Sequence, residues 1–157
     1  MIKVSLLLFF ALVFHQANSQ SLNSFSKNVF EIIRQRDTAN VFTIFFNPEK
    51  DKSILAGSSP SSLVMETNNA GLNEFQKRAK NEFVKMIEKG TNLGIDWSIA
   101  DMEGYEFSVL YNDQLKLPMG KGTIKVKSNR NTYFIEIKSM VELEENGWKI
   151  LAIDIIK

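Results

Sequence analysis

Apolar side chains recur along this chain at two periods, and the switch between them separates a helix-forming half from a strand-forming half. Phe25, Val29, Ile32 and Ile33 are interleaved with Lys27, Glu31, Arg34 and Arg36 at intervals of three and four, which predicts an amphipathic helix over about 24–36. Asp37 has the character of an N-cap for a short helix through Val41, Ile44 and Phe45, stopped by Asn47-Pro48. The run from Val41 to Phe46 suits a strand equally well. Residues 48–62 are polar and turn-rich, and Ser59-Pro60 could start one more helical turn. Over 72–89, Leu72, Phe75, Ala79, Phe83, Met86 and Ile87 form one stripe against Lys77, Arg78, Lys80, Glu82, Lys85 and Glu88. That is a longer helix, with Asn73 and Gln76 resembling a capping box and Gly90 a C-cap.

After Gly90 the period falls to two. Leu93, Ile95, Trp97 and Ile99 alternate with Gly94, Asp96, Ser98 and Ala100, and Tyr105, Phe107, Val109 and Tyr111 alternate with Glu106, Ser108 and Asn112. Further strands are expected at about 121–127, 132–143 and 148–156, joined by Ser128-Asn129-Arg130-Asn131 and Glu145-Asn146-Gly147. Helices first and strands afterwards is an α+β order: N-terminal helices packed on one face of a curved, cone-like antiparallel β-meander.

The terminal strand breaks the alternation. Trp148, Ile150 and Ala152 hold one phase and Leu151, Ile153 and Ile155 the other, while Phe134 and Met140 lie opposite Tyr133 and Ile135. This predicts an apolar patch on the outer sheet face. Either a second copy covers it, giving a weak homodimer, or an N-terminal segment folds over it.

Ahead of the first helix stand Lys3, an uncharged apolar run from Val4 to Phe14, and the small residues Ala17 and Ser19. That order describes a secretory signal peptide over 1–19, cut between Ser19 and Gln20. The apolar run is too short to span a bilayer of about 30 Å. Residues 20–157 then form a single domain exported to the periplasm or the medium. The chain has 19 Lys and Arg against 18 Asp and Glu. Loss of Lys3 balances them, so charge gives no reason to expect nucleic acid or an anionic membrane as partner.

The one histidine, His15, leaves with the signal peptide, and there is no cysteine. Thiolate and imidazole zinc sites, cysteine nucleophiles, Ser-His-Asp triads and disulfides are thereby excluded. So is a thiol-linked lipid anchor after cleavage. No cofactor, metal site or catalytic residue is expected.

Asn131-Thr132-Tyr133-Phe134-Ile135-Glu136-Ile137 and Glu145-Asn146-Gly147-Trp148-Lys149-Ile150, following helices, resemble the nuclear transport factor two-like, or cystatin-like, superfamily. Leu93-Gly94-Ile95-Asp96-Trp97-Ser98 is similar to a stretch in small exported bacterial proteins of that kind. The resemblance covers about 24–157 and implies a sheet wrapped around a helix into a cone whose mouth holds a small apolar molecule. Members include isomerases, dehydratases and binding modules, so the fold does not choose among them. The isomerase branch's carboxylate, tyrosine and protonated acid find no motif here, and the dehydratase branch needs a histidine.

Asp154 is an acid within the apolar run from Ile150 to Ile156. If its face lines the cone, it is a partly desolvated carboxylate with a raised pKa, able to move a proton or hold a ligand's polar end. General burial statistics favour the other reading, a strand-end acid that is wet or paired with a lysine. Ser139 shares the phase of Tyr133, Ile135, Ile137, Val141 and Leu143, and a hydroxyl satisfied by backbone is the favoured reading there. Lys116, Lys121, Lys125, Lys127 and Arg130 crowd near Tyr133. An anionic groove is conceivable, but lysines on the outward phase of one strand commonly keep it soluble. Ser24-Phe25-Ser26-Lys27 and Gly120-Lys121-Gly122 lack the supporting motifs of a penicillin-binding enzyme or a phosphate loop.

The reading that follows is an exported, non-enzymatic binding module for a small apolar or amphipathic ligand, held by Trp97, Tyr105, Phe107, Tyr133, Ser139 and Asp154. An envelope or extracellular protein-interaction module without ligand is the alternative. A histidine-independent isomerase or lyase comes third.

Overall fold

The computed structural model describes residues 21–47, 69–113, 117–143 and 147–157. The expected signal peptide, the turn at Ser59-Pro60, Lys116 and the turn residues Glu145 and Asn146 lie outside these. Residues 21–34 form α1, which buries Phe25, Val29, Phe30, Ile32 and Ile33. It stops where Arg36 turns left-handed at φ 55°. There the Arg36 N–H donates to the Ile33 carbonyl and the Asp37 N–H to the Ile32 carbonyl, each at 3.0 Å. That pair of bonds satisfies carbonyls the helix would otherwise leave open.

The Asp37 carboxylate accepts the N–H groups of Ala39 and Asn40, each at 3.0 Å. It thus closes the turn ahead of α2 (Val41–Ile44), whose own N-cap is Asn40. Beyond α2, Phe45 forms a parallel bridge with Ile150, and the Phe46 N–H donates to the Ile150 carbonyl at 3.1 Å. The segment that suited helix or strand does both in turn: it buries Val41 and Ile44, then runs extended along a sheet edge.

Helix α3 (Asn69–Asn92) is longer than its apolar stripe predicts. Asn73 and Gln76 therefore lie inside it and not at a cap, and Phe83, Met86 and Ile87 are buried. Gly90 is also interior. A Cβ there would lie 2.5 Å from the Trp97 ring and 3.0 Å from Ile155. The cap is Gly94, at φ +102°, whose N–H donates to the Thr91 carbonyl while the Ile95 N–H donates to that of Gly90, each at 3.0 Å.

Residues 93–99, expected as a strand, are turns and irregular chain. Ile95 and Trp97 are buried against the end of α3. The Asp96 carboxylate accepts the Ser98 N–H at 3.0 Å and its hydroxyl at 2.6 Å. These bonds hold the Asp96 carboxyl below its ordinary range. A turn that points every second side chain inward has the same period as a strand, which is why alternation misled.

Four strands follow: β1 (Asp101–Asn112), β2 (Leu117–Ser128), β3 (Asn131–Leu143) and β4 (Gly147–Ile156). They form one open antiparallel sheet in the order β1-β2-β3-β4. Its inward residues, among them Ile124, Val126, Tyr133, Ile135 and Ile137, join α1, α2 and α3 in one buried cluster. The α+β class is as expected, and the helices cover one face of the sheet.

The register corrects the expected outer patch. On β2, Gly120 pairs with Met140 and Gly122 with Ile137, so Lys138 and Ser139 bulge opposite Lys121. Against β4, Ile137 pairs with Ile153, Ser139 with Ala152 and Met140 with Ile150, so Lys138 on β3 and Leu151 on β4 are the unpaired residues. A bulge reverses the phase of a strand beyond it. Met140 and Ile150 thus enter the same buried cluster as Ile137 and Ile155, with Ile153 packed against it. Ile137, Met140, Ile150 and Ile155 share one cluster despite their mixed phases, and outside it stand buried Val141 and Leu143, half-buried Phe134 and exposed Leu151 and Ile156.

Candidate functional site

Alternation along β1, β2 and β3 sends Glu106, Ser108, Leu110, Met119, Lys121, Thr123, Glu136 and Lys138 to the face opposite the helices. Register lines them up across strands. Glu106 pairs with Thr123 and Thr123 with Glu136, which pairs in turn with Asp154 on β4. Ser108 pairs with Lys121, which faces the bulge holding Lys138. Leu110 pairs with Met119 and Met119 with Val141. An acidic row, a basic row and an apolar row therefore follow one another down the outer face, each about 7 Å from the next, the span of two strand residues.

A shallow, open depression of about 620 Å³ lies over the first two rows. A second, of about 360 Å³, opens over Leu110, Tyr111 and Met119. They share Ser108, Lys121 and Lys138. Gly122 lies on the floor, where a Cβ would run into the Glu106 carbonyl and Phe107. Among the described residues, the sheet's ion pairs are Glu103 with Lys125 and Lys127, and Asp154 with Lys89 and Lys138. Glu106, Glu136 and Lys121 make none with another described residue.

The six residues expected to hold a ligand do not converge. Trp97 is packed in the core with its indole N–H donated to the Ile87 carbonyl at 3.3 Å. Tyr133 is buried on the inward face of β3, with the Lys157 ammonium 5.9 Å from its ring centre. Tyr105 and Phe107 stand together on the inward phase of β1, half-buried, with ring centres 5.4 Å apart and Phe25 6.0 Å from Phe107. Ser139 is half-buried in the β3 bulge.

Asp154 accepts from Lys89 at 2.6 Å, from Lys138 at 3.1 Å and from the Ile155 N–H at 2.8 Å. The Lys89 bond, against some desolvation and with help from Lys138 and Ile155, pulls its pKa down to about 2. The favoured reading of a strand-end acid paired with lysine is what the structure shows, and the raised pKa of the cone-lining alternative is absent because lysines from α3 and β3 reach the carboxylate.

Two inward groups at the far end of the sheet were not anticipated. Glu142 pairs with Trp148 across β3 and β4, and burial pushes the Glu142 carboxyl above its ordinary value. The Trp148 indole N–H is buried without an acceptor among the described residues. The groove itself was missed because its members were read as solubilising lysines and outward polar residues. Glycines on both sides of Lys121 were the available signal of a close strand approach.

Among the described residues, no group of three or more carboxylate, histidine or cysteine side chains could hold a metal ion. No described helix is long and apolar enough to cross a membrane. No family model, curated protein or solved structure matches the chain.

Proposed function

We propose that the chain is an exported, non-enzymatic binding module for a small amphipathic ligand, of the cone-shaped nuclear transport factor two-like kind that its C-terminal half resembles. The observation that carries this reading is the outer groove, where two adjoining shallow depressions bring charged and apolar rows together. Ligand pockets combine apolar contact area with a few placed polar groups, and this surface has both. Asp154, tied to two lysines and pulled down to about 2, is a weak proton acceptor near neutral pH. That supports binding over proton-transfer chemistry. Native mass spectrometry of protein purified from its source is the test: a co-purifying amphiphile is expected, and a bare chain under gentle conditions counts against the reading.

A protein-interaction module, including a homodimer through the outer sheet face, is the second reading. Leu110 and Tyr111, 75% and 61% exposed near the end of edge strand β1, favour it. A stoichiometric protein partner in a pull-down from periplasm or medium would select it.

A further inference from the structure

The order of the three rows specifies a ligand more closely than their composition does. From the Glu106, Thr123 and Glu136 row, through Lys121 and Lys138, to Leu110 and Met119, the outer face reads acid, base, apolar. A molecule lying down this groove in register presents an ammonium first, an anion second and a hydrocarbon chain third. That is the covalent order of a zwitterionic phospholipid headgroup, whose amine is distal, whose phosphate is central and whose chain begins beyond the phosphate. A betaine with its ammonium next to the chain and its anion at the tip has the same net charge and the reverse order.

We infer that the outer groove of β1, β2 and β3 takes a single-chain phosphoethanolamine or phosphocholine amphiphile, phosphate at Lys121 and Lys138, ammonium between Glu106 and Glu136, chain over Leu110 and Met119. This rests on the binding-module reading and deepens it. Lys121 is the stronger anion contact, because it has no carboxylate partner among the described residues, whereas Lys138 already gives one bond to Asp154. An ammonium keeps three donors, so Lys138 can hold Asp154 and a phosphate oxygen together. Glu106 and Glu136 flank Thr123 on neighbouring strands. They stand about two strand spacings, or roughly 10 Å, apart at the backbone, which leaves room for an ammonium between their flexible side chains. Thr123 and Ser108 add hydroxyls within the same depression.

The experiment compares three dodecyl amphiphiles below their micelle thresholds, titrated into the isotope-labelled protein and followed by amide chemical shifts. They are dodecylphosphocholine, a dodecyl sulfobetaine of reversed charge order, and uncharged dodecyl maltoside. Dodecylphosphocholine should shift Ser108, Lys121, Lys138, Leu110 and Met119 and bind about tenfold more tightly than the other two. Lys121→Glu should abolish that preference while circular dichroism stays unchanged. Equal binding of all three at these signals overturns the headgroup assignment and leaves the amphiphile-binding reading standing. No shift at the groove with any of them, or a dimer that closes over it, overturns both. Sedimentation with phosphatidylethanolamine vesicles without binding of the monomeric amphiphile also overturns the assignment, because the groove would then be reading a bilayer surface.

Discussion

The Asp154 carboxylate lies 2.6 Å from the Lys89 ammonium, which ties the last strand of the sheet to the last turn of α3. Lys138 reaches the second carboxylate oxygen at 3.1 Å. One acid on β4 thus ties α3 to the paired strands β3 and β4.

A pH dependence follows. The folded pKa of Asp154, about 2, lies below its ordinary value of 3.8. A depressed pKa means stability that is present above the ordinary value and lost as pH falls toward the folded one. Both lysines are half-exposed, so solvent screening cuts the contribution to about 1 kcal/mol. Asp154→Asn should lower stability by that amount at pH 7 and flatten the acid arm between pH 3.8 and about 2. Urea unfolding across that range checks it, and an unchanged acid arm in the variant would refute the clamp.

Gly90 offers an opposite test of local against tertiary effects. Replacing glycine with alanine inside a helix ordinarily gains about 1 kcal/mol. At Gly90 the new methyl would sit 2.5 Å from the Trp97 ring, and overpacking costs about 1–3 kcal/mol. Gly90→Ala should therefore destabilise in denaturant melts. Gly104→Ala, where nothing lies within 4 Å of the new Cβ, is the control and should be near neutral.

Arg36 holds a left-handed conformation at φ 55° at the position after α1 where glycine is preferred. A side chain there opposes the native backbone by about 1–2 kcal/mol, while glycine adds unfolded-chain entropy of about 0.5–1 kcal/mol. Arg36→Gly should raise stability by about 0.5 kcal/mol, seen as a higher urea midpoint with unchanged slope. A lower midpoint would mean that the Arg36 side chain contributes a contact beyond its backbone role.

The parts of the fold that could be read from sequence are those whose pattern has one structural solution. The stripes ending in Ile32-Ile33 and Met86-Ile87 are buried helix faces, because a period of 3.6 suits only a helix. Period two was less decisive. At Leu93 to Ile99 it came from a turn anchored by Asp96 and by a bond from its N–H to the Ser128 hydroxyl at 2.8 Å. In β4 the apparent second phase came from the register shifts that leave Lys138 and Leu151 unpaired, which no composition signals in advance. The groove was illegible for a related reason. Its rows join residues from three strands, and only register, which bulges alter, says that Lys121 lies between Glu106 and Leu110 in depth along the face. Asp154 was placed in the right dilemma, and its lysines decided it.

The remaining prediction concerns Glu142 and Trp148, which face one another across β3 and β4 on the inward side. Burial raises the Glu142 pKa above its ordinary value of 4.5. A raised carboxyl pKa means the folded state holds the proton more tightly than the unfolded chain. The associated stability is full below 4.5 and is lost as pH rises through the folded value. At neutral pH the ionised carboxylate then opposes folding. Glu142→Gln keeps the shape and removes the charge, and leaves the cross-strand Trp148 N–H as it was, without an acceptor among the described residues. The variant should be more stable than the parent at pH 7, by up to about 1 kcal/mol, and equal to it at pH 4. Urea midpoints at the two pH values decide the matter. A gain of the same size at both would assign the effect to packing, and a loss at pH 7 would show that the Glu142 charge has a favourable partner in solution.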